Sequence, residues 1–122
     1  MDIKQYIKEK ILLLDGGMGT LLQSAGLTPG EYPEKWNITR PEIIKKIHGN
    51  YLAAGSRVIS ANTFGANCLK FDYNELEQII KSAMENARAA ISACGDKEDR
   101  FVALDIGPTG KLLRPLGDFD FV

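Results

Sequence analysis

The sequence predicts an α/β fold of parallel strands covered by outer helices. Three observations predict it. Short apolar runs over 11–15, 57–62 and 101–105 read as strands, each ending in small and polar residues. Long amphipathic patterns separate them, and no two-residue hairpin signal intervenes. A strand, helix, strand, helix, strand order, joined by right-handed crossovers, gives a parallel sheet with its helices outside.

The elements follow in chain order. Ile3, Tyr6 and Ile7 fall at helical spacing in a short helix over 3–10. It leads into the first strand, whose unbroken apolarity predicts burial on both faces. After Asp15 the glycines turn the chain, and a helix over 18–25 places Leu21, Leu22 and Ala25 inward before Gly26 stops it. Residues 27–38, with Pro29, Gly30 and Pro33, read as a loop, and Trp36 as a lid or packing anchor over it. A loop of that length in a compact domain usually carries function.

Thr39 and Glu42 have capping-box spacing, with Pro41 tolerated in the first turn, and open a helix that runs to about Ala54. Ile43, Ile44, Ile47, Tyr51 and Leu52 form its apolar stripe and Gly55 its left-handed stop. His48, beside Lys45 and Lys46, reads as an exposed or capping histidine. Asp72 and Glu75 repeat the cap spacing, and Leu76, Ile79, Ile80, Ala83, Ala87, Ala90 and Ile91 define a long helix ended by Gly95. The third strand follows, and the chain from Gly107 to Val122 is a loop rich in glycine and proline. Three parallel strands leave two edges unpaired. The expectation is therefore an incomplete domain over 1–122, with no second domain.

Composition narrows the function classes. A 44% apolar content is ordinary for a globular chain, and a net charge of −1 with mixed signs carries no basic stripe. Neither nucleic acid nor an anionic membrane surface is the expected partner. No apolar run approaches the about 20 residues of a membrane helix, so a cytoplasmic protein is expected. Cys68 and Cys94 form no Cys-x-x-Cys pair and read as two reduced thiols. The lone histidine completes no zinc ligand set with them.

The strand exits carry the chemistry. In parallel α/β sheets ligands bind at the carboxyl ends of the strands, where glycines admit a ligand to the backbone. Asp15-Gly16-Gly17-Met18-Gly19 misses the spacing of both nucleotide loops. It suits an amino acid instead, with the Asp15 carboxylate on the ammonium and the following amides on the carboxylate. Asp15 also reads as a helix cap, Met18 as core filler, and Asn62 and Thr63 as turn formers.

Four ordered motifs together are more specific. Leu14-Asp15-Gly16-Gly17-Met18-Gly19-Thr20, Trp36-Asn37-Ile38-Thr39-Arg40-Pro41-Glu42, Asn62-Thr63-Phe64-Gly65-Ala66-Asn67 and Asp105-Ile106-Gly107-Pro108-Thr109-Gly110 resemble the start of the homocysteine S-methyltransferase family. Lys111-Leu112 and Pro115-Leu116-Gly117 extend the likeness toward the homocysteine-binding module of its cobalamin-dependent methionine synthases. The resemblance implies a (β/α)8 TIM barrel, of which this chain is the N-terminal part with about three βα units. It also implies zinc held by three cysteines, which would bind the homocysteine sulfur as a thiolate nucleophile. Methylcobalamin, recharged from methyltetrahydrofolate, would donate the methyl group, and the remaining barrel and the cobalamin and folate modules would be partners.

By position, Asp15 would meet the homocysteine ammonium, Gly16, Gly17 and Met18 its carboxylate, and Asn62, Thr63 and Asp105 would line the pocket floor. Ser60-Ala61 stand where the family often has Glu-Thr, which removes a carboxylate near the second exit. Cys68 and Cys94 do not match the zinc ligands. The expected function is thus substrate binding within a methyltransferase that makes methionine, the chain alone being inactive. A stand-alone anion- or amino-acid-binding module, or a fragment that self-associates through its open strand edges, is the alternative.

Overall fold

Two short strands, β1 (Val58–Ser60) and β2 (Phe101–Ala103), pair in parallel, with Val58 opposite Phe101 and Ser60 opposite Ala103. They belong to a computed structural model that describes residues 1–121. Around them lie α1 (Ile3–Glu9), α2 (Gly19–Ser24), a 3-10 turn (Pro33–Lys35), α3 (Trp36–Thr39), α4 (Pro41–Ala53) and α5 (Tyr73–Ala93). The parallel α/β class is the one the sequence predicts. No helix among the described residues is long and apolar enough to cross a membrane.

The first strand is shorter than its apolarity suggests. Leu14 makes a single parallel bridge to Val58, with Asp15 N–H donating to the Val58 carbonyl at 3.0 Å and Val58 N–H to that of Leu13 at 3.1 Å. Ile11 and Leu14 are 84% and 66% exposed, against the expectation of burial on both faces. A parallel strand is sealed only when both edges are paired and both faces covered, and this segment pairs on one edge. Helix α1 covers it little, since Ile3 and Ile7 face out and only Tyr6 packs inward, edge-on to Phe101.

Two apolar clusters make the core. Leu22, Leu27, Trp36, Ile44 and Ile47 form one, and Leu52, Ile59, Ala87 and Ala90 the other, with Tyr51 packed against both. The small side chains of Ala83, Ala87 and Ala90, all buried, let α5 approach its neighbours closely. Asp72 caps α5, its carboxylate accepting from Glu75 N–H at 2.9 Å. Gly55, at φ +112°, ends α4 in the left-handed region. Arg100 then closes that end, donating to the carbonyls of Ser56 at 3.0 Å and Leu52 at 3.4 Å while pairing with Asp96.

Several local expectations are corrected. The 27–38 loop holds the 3-10 turn and most of α3, and of the two readings of Trp36 the packing anchor holds and the lid does not, since it is 3% exposed in a core cluster. Thr39 caps nothing: it is already helical in α3, and its hydroxyl donates back to the Lys35 carbonyl. Helix α2 is too short to bury a full stripe, so Leu22 is enclosed while Leu21 and Ala25 stay exposed.

His48 is the largest correction, being fully enclosed rather than exposed. It lies one turn after Ile44 and one before Leu52 on the inward stripe of α4, so the helical period buries it whatever its polarity. Neither ring nitrogen has a hydrogen-bond partner among the described residues. Burial holds its pKa below the ordinary histidine value of 6.5, with the Asp15 charge opposing the shift. Below about pH 6.5 the unfolded chain takes a proton that the folded chain refuses, so stability falls as pH falls through that range. Urea midpoints at pH 7.5 and 5.5 are expected to show this loss in the parent and a clearly smaller one in His48→Leu. Equal losses would show that His48 does not set the dependence.

Candidate functional site

The three strand exits converge. Asp15, Gly16, Gly17, Met18, Asn62, Thr63 and Asp105, the residues singled out in the sequence, all line one cavity of about 380 Å³. It opens at the carboxyl ends of β1 and β2, where the segment after Leu14, the turn after Ser60 and the segment after Ala103 meet. Gly19, Pro33, Glu34, Ser60, Ala61 and Phe64 complete its wall.

Hydrogen bonds tie the exits to one another. Ser60 N–H donates to one Asp15 oxygen at 2.8 Å and the Ser60 hydroxyl to the other at 3.1 Å. This engages Asp15 across the sheet, not as a helix cap; the residue at the cap of α2 is Met18, which makes no side-chain cap bond. The Thr63 hydroxyl donates to the Asp105 carbonyl at 2.7 Å and accepts from the Asp105 N–H at 3.1 Å. Thr63 therefore pins the third exit to the second. Gly107 continues that contact, since a Cβ there would collide with the Phe64 carbonyl.

Asn62 joins a buried amide network. Its Nδ2 donates to the Pro33 carbonyl at 2.9 Å and to Asn37 Oδ1 at 3.0 Å, while Asn37 Nδ2 returns a bond to the Asn62 carbonyl at 2.8 Å. Asn86, on α5, donates to the Asn37 carbonyl at 3.0 Å. Asn62 thus does more than form a turn: it fixes the 3-10 turn against the second exit. Sequence reasoning missed Asn86, although it sits between the buried Ala83 and Ala87 at core-facing spacing. It missed Glu34 as well, and nothing in Pro33-Glu34-Lys35 signals that the central carboxylate is buried.

Two features of the lining define its chemistry. Asp15, Glu34 and Asp105 contribute carboxyl groups, and no lysine, arginine or histidine belongs to the wall. Opposite in character, the N–H groups of Gly16 and Gly17 donate to no other described residue. The carbonyl of Gly17 is held by the Tyr51 hydroxyl at 2.7 Å, which leaves the loop's amide edge free. A pocket with an anionic wall and free amides suits a ligand bearing both an ammonium and a carboxylate.

The thiols lie elsewhere. Cys68 is exposed, and Cys94, at the end of α5, donates to the Ala90 carbonyl. No group of three metal-ligating side chains occurs among the described residues, so they do not fit the zinc that the family resemblance implies.

Parallel strands, a crossover helix and a cavity at the strand exits define the class: a parallel α/β unit with its candidate site at the carboxyl ends of the strands. The chain belongs to the homocysteine S-methyltransferase family, whose model matches residues 12–121. It is 30% identical to a methionine synthase of Mycobacterium tuberculosis, over 91% of this chain and 10% of that protein. Its fold matches the homocysteine methyltransferase MmuM of Escherichia coli. The oxidized form superposes with a TM-score of 0.79 at 26% identity, covering 88% of this chain and 41% of that one. The metallated form gives 0.78 at 24%, covering 88% and 42%. The chain therefore spans a tenth of the synthase and about two fifths of the solved methyltransferase.

Replacing Thr63 with valine keeps the shape of the side chain and removes both bonds to Asp105. The expected cost is about 1–3 kcal/mol, read as a lowered urea midpoint. An unchanged midpoint would mean the third exit is held in place without Thr63.

Proposed function

We propose that the strand-exit cavity holds the amino-acid end of homocysteine for methyl transfer to its sulfur. Asp15 takes the ammonium, and the amides of Gly16, Gly17 and Met18 take the carboxylate. Asn62, Thr63 and Asp105 form the floor. The observation that carries this reading is the convergence of all seven residues on one cavity whose lining has carboxyl groups and free amides but no cationic side chain.

The charge pattern argues for the division of roles. An ammonium in a partly enclosed site gains most from a carboxylate already fixed in place, because little is then lost in ordering the partner. The two bonds from Ser60 fix Asp15 in this way. They also leave lone pairs free, since an ionised carboxylate has about four acceptor sites. The backbone amides offer the complementary donors without adding charge. Placing the two ends of the amino acid leaves the side-chain sulfur to be presented outward.

The family reading carries zinc, methylcobalamin recharged from methyltetrahydrofolate, and a cytoplasmic setting. Because neither Cys68 nor Cys94 fits a zinc site, the share of the reaction assigned to this chain is binding and orienting the substrate. On its own the chain is expected to bind without transferring methyl.

Calorimetric titration of the 122-residue chain with L-homocysteine tests the reading. Binding is expected, with affinity lowered at least about tenfold in Asp15→Asn, a loss of about 1.4 kcal/mol. Affinity unchanged by that substitution would remove Asp15 from the site. A second titration, with a nucleoside triphosphate, is expected to give no heat, since three carboxyl groups line the cavity.

A further inference from the structure

We infer that Glu34 is a specificity-determining residue of the strand-exit pocket, selecting ligands that carry a protonated amine. The inference rests on the proposed function and extends it to a side chain outside the sequence motifs at the exits. Glu34 lines the cavity, yet only 4% of its surface is exposed. One carboxylate oxygen, Oε1, accepts from the Gly65 N–H at 2.6 Å. A Cβ on Gly65 would press on that oxygen, so the glycine lets the carboxylate dock against the backbone.

The other oxygen is what points to a ligand. Oε2 accepts no hydrogen bond from any described residue, and it is not among the sealed, unpartnered atoms. It is therefore not sealed off, and Glu34 belongs to the lining of the cavity. No described lysine or arginine makes a direct ion pair with Glu34. Lys35, the next residue, pairs with Glu75 at 3.2 Å, and Lys70, close to Gly65, forms no ion pair with Glu34. A buried carboxylate with a single amide donor lacks a compensating charge, and a ligand cation would supply one.

Two fixed carboxylates then approach the ligand from different parts of the chain. Asp15 comes from the first exit, held by Ser60, and Glu34 from the 3-10 turn, held by Gly65. An ammonium has three donors and can satisfy both. A ligand without the amine leaves the buried Glu34 and the half-buried Asp15 without a cation, which turns a modest preference into strong rejection. The bland alternative is that Glu34 only pegs the turn at Gly65. A glutamine would serve that purpose equally, since its carbonyl oxygen can take the same bond.

The experiment compares the parent chain, Glu34→Gln and Asp15→Asn by calorimetry, each titrated with L-homocysteine and with its des-amino analogue, 4-sulfanylbutanoate. Glu34→Gln is expected to weaken homocysteine at least about tenfold while leaving the analogue unchanged, so that the ratio of affinities falls. An unchanged ratio in Glu34→Gln beside a collapsed one in Asp15→Asn would overturn the role of Glu34 and leave the pocket assignment standing. Unchanged ratios in both, or no homocysteine binding by the parent, would overturn both readings. A measurement on the unsubstituted chain guards against misfolding of the variant: the Glu34 carboxylate carbon resonance should shift with homocysteine and not with the analogue. A resonance insensitive to homocysteine overturns the inference.

Discussion

Strands of three residues hold little register by backbone pairing alone, so the geometry of this molecule depends on side chains that bridge neighbouring strand exits. Asp15 receives two bonds from Ser60, and Thr63 both gives to and takes from the backbone of Asp105. Each bond links groups more than forty positions apart in the chain, between segments that barely pair as strands. The cavity is consequently not a gap left over between packed elements. It is framed by the bonds that set the spacing of its own walls.

Beneath the exits, polar and apolar packing divide the work. The two apolar clusters supply non-directional burial and meet at Tyr51, whose hydroxyl also reaches the Gly17 carbonyl. The amides of Asn37, Asn62 and Asn86 supply direction, because each buried donor named here has a specific acceptor. A network of this kind is unforgiving in a low-dielectric interior: satisfied, it selects one arrangement, and a missing member leaves its neighbours unpaired. It joins the 3-10 turn, the second exit and α5, so the turn that carries Glu34 is held as firmly as the strands are.

The sequence was most legible where one local cause suffices. The stripes of α4 and α5, the Asp72 cap and the glycine stop at Gly55 follow from period, side-chain reach and backbone sterics. The seven cavity-lining residues were visible because glycines and short polar side chains after apolar runs mark strand exits. Other features depended on tertiary context. Ile11 to Leu14 have the composition of a sealed strand, but sealing requires neighbours on both edges, which no pattern within those residues reports. His48 was misread for a local reason, its place on the α4 stripe outweighing its chemistry, and the helical turn at Trp36 was masked by the surrounding prolines and glycine. Glu34 and Asn37 were obscure for a tertiary reason: their partners are distant backbone groups.

The glycines at the exits differ in what surrounds them. Gly19 has open space where a side chain would stand, whereas a Cβ on Gly16 would lie 2.8 Å from the Tyr51 hydroxyl and one on Gly107 would strike the backbone at Phe64. Codon drift should therefore be tolerated unevenly. Gly19 can wander through small residues, Gly16 can change only in company with Tyr51, and Gly107 is barred from change because its obstacle is main chain that no substitution elsewhere removes. Gene libraries of this chain would record the cavity as a map of forbidden alleles, sharpest at the third exit.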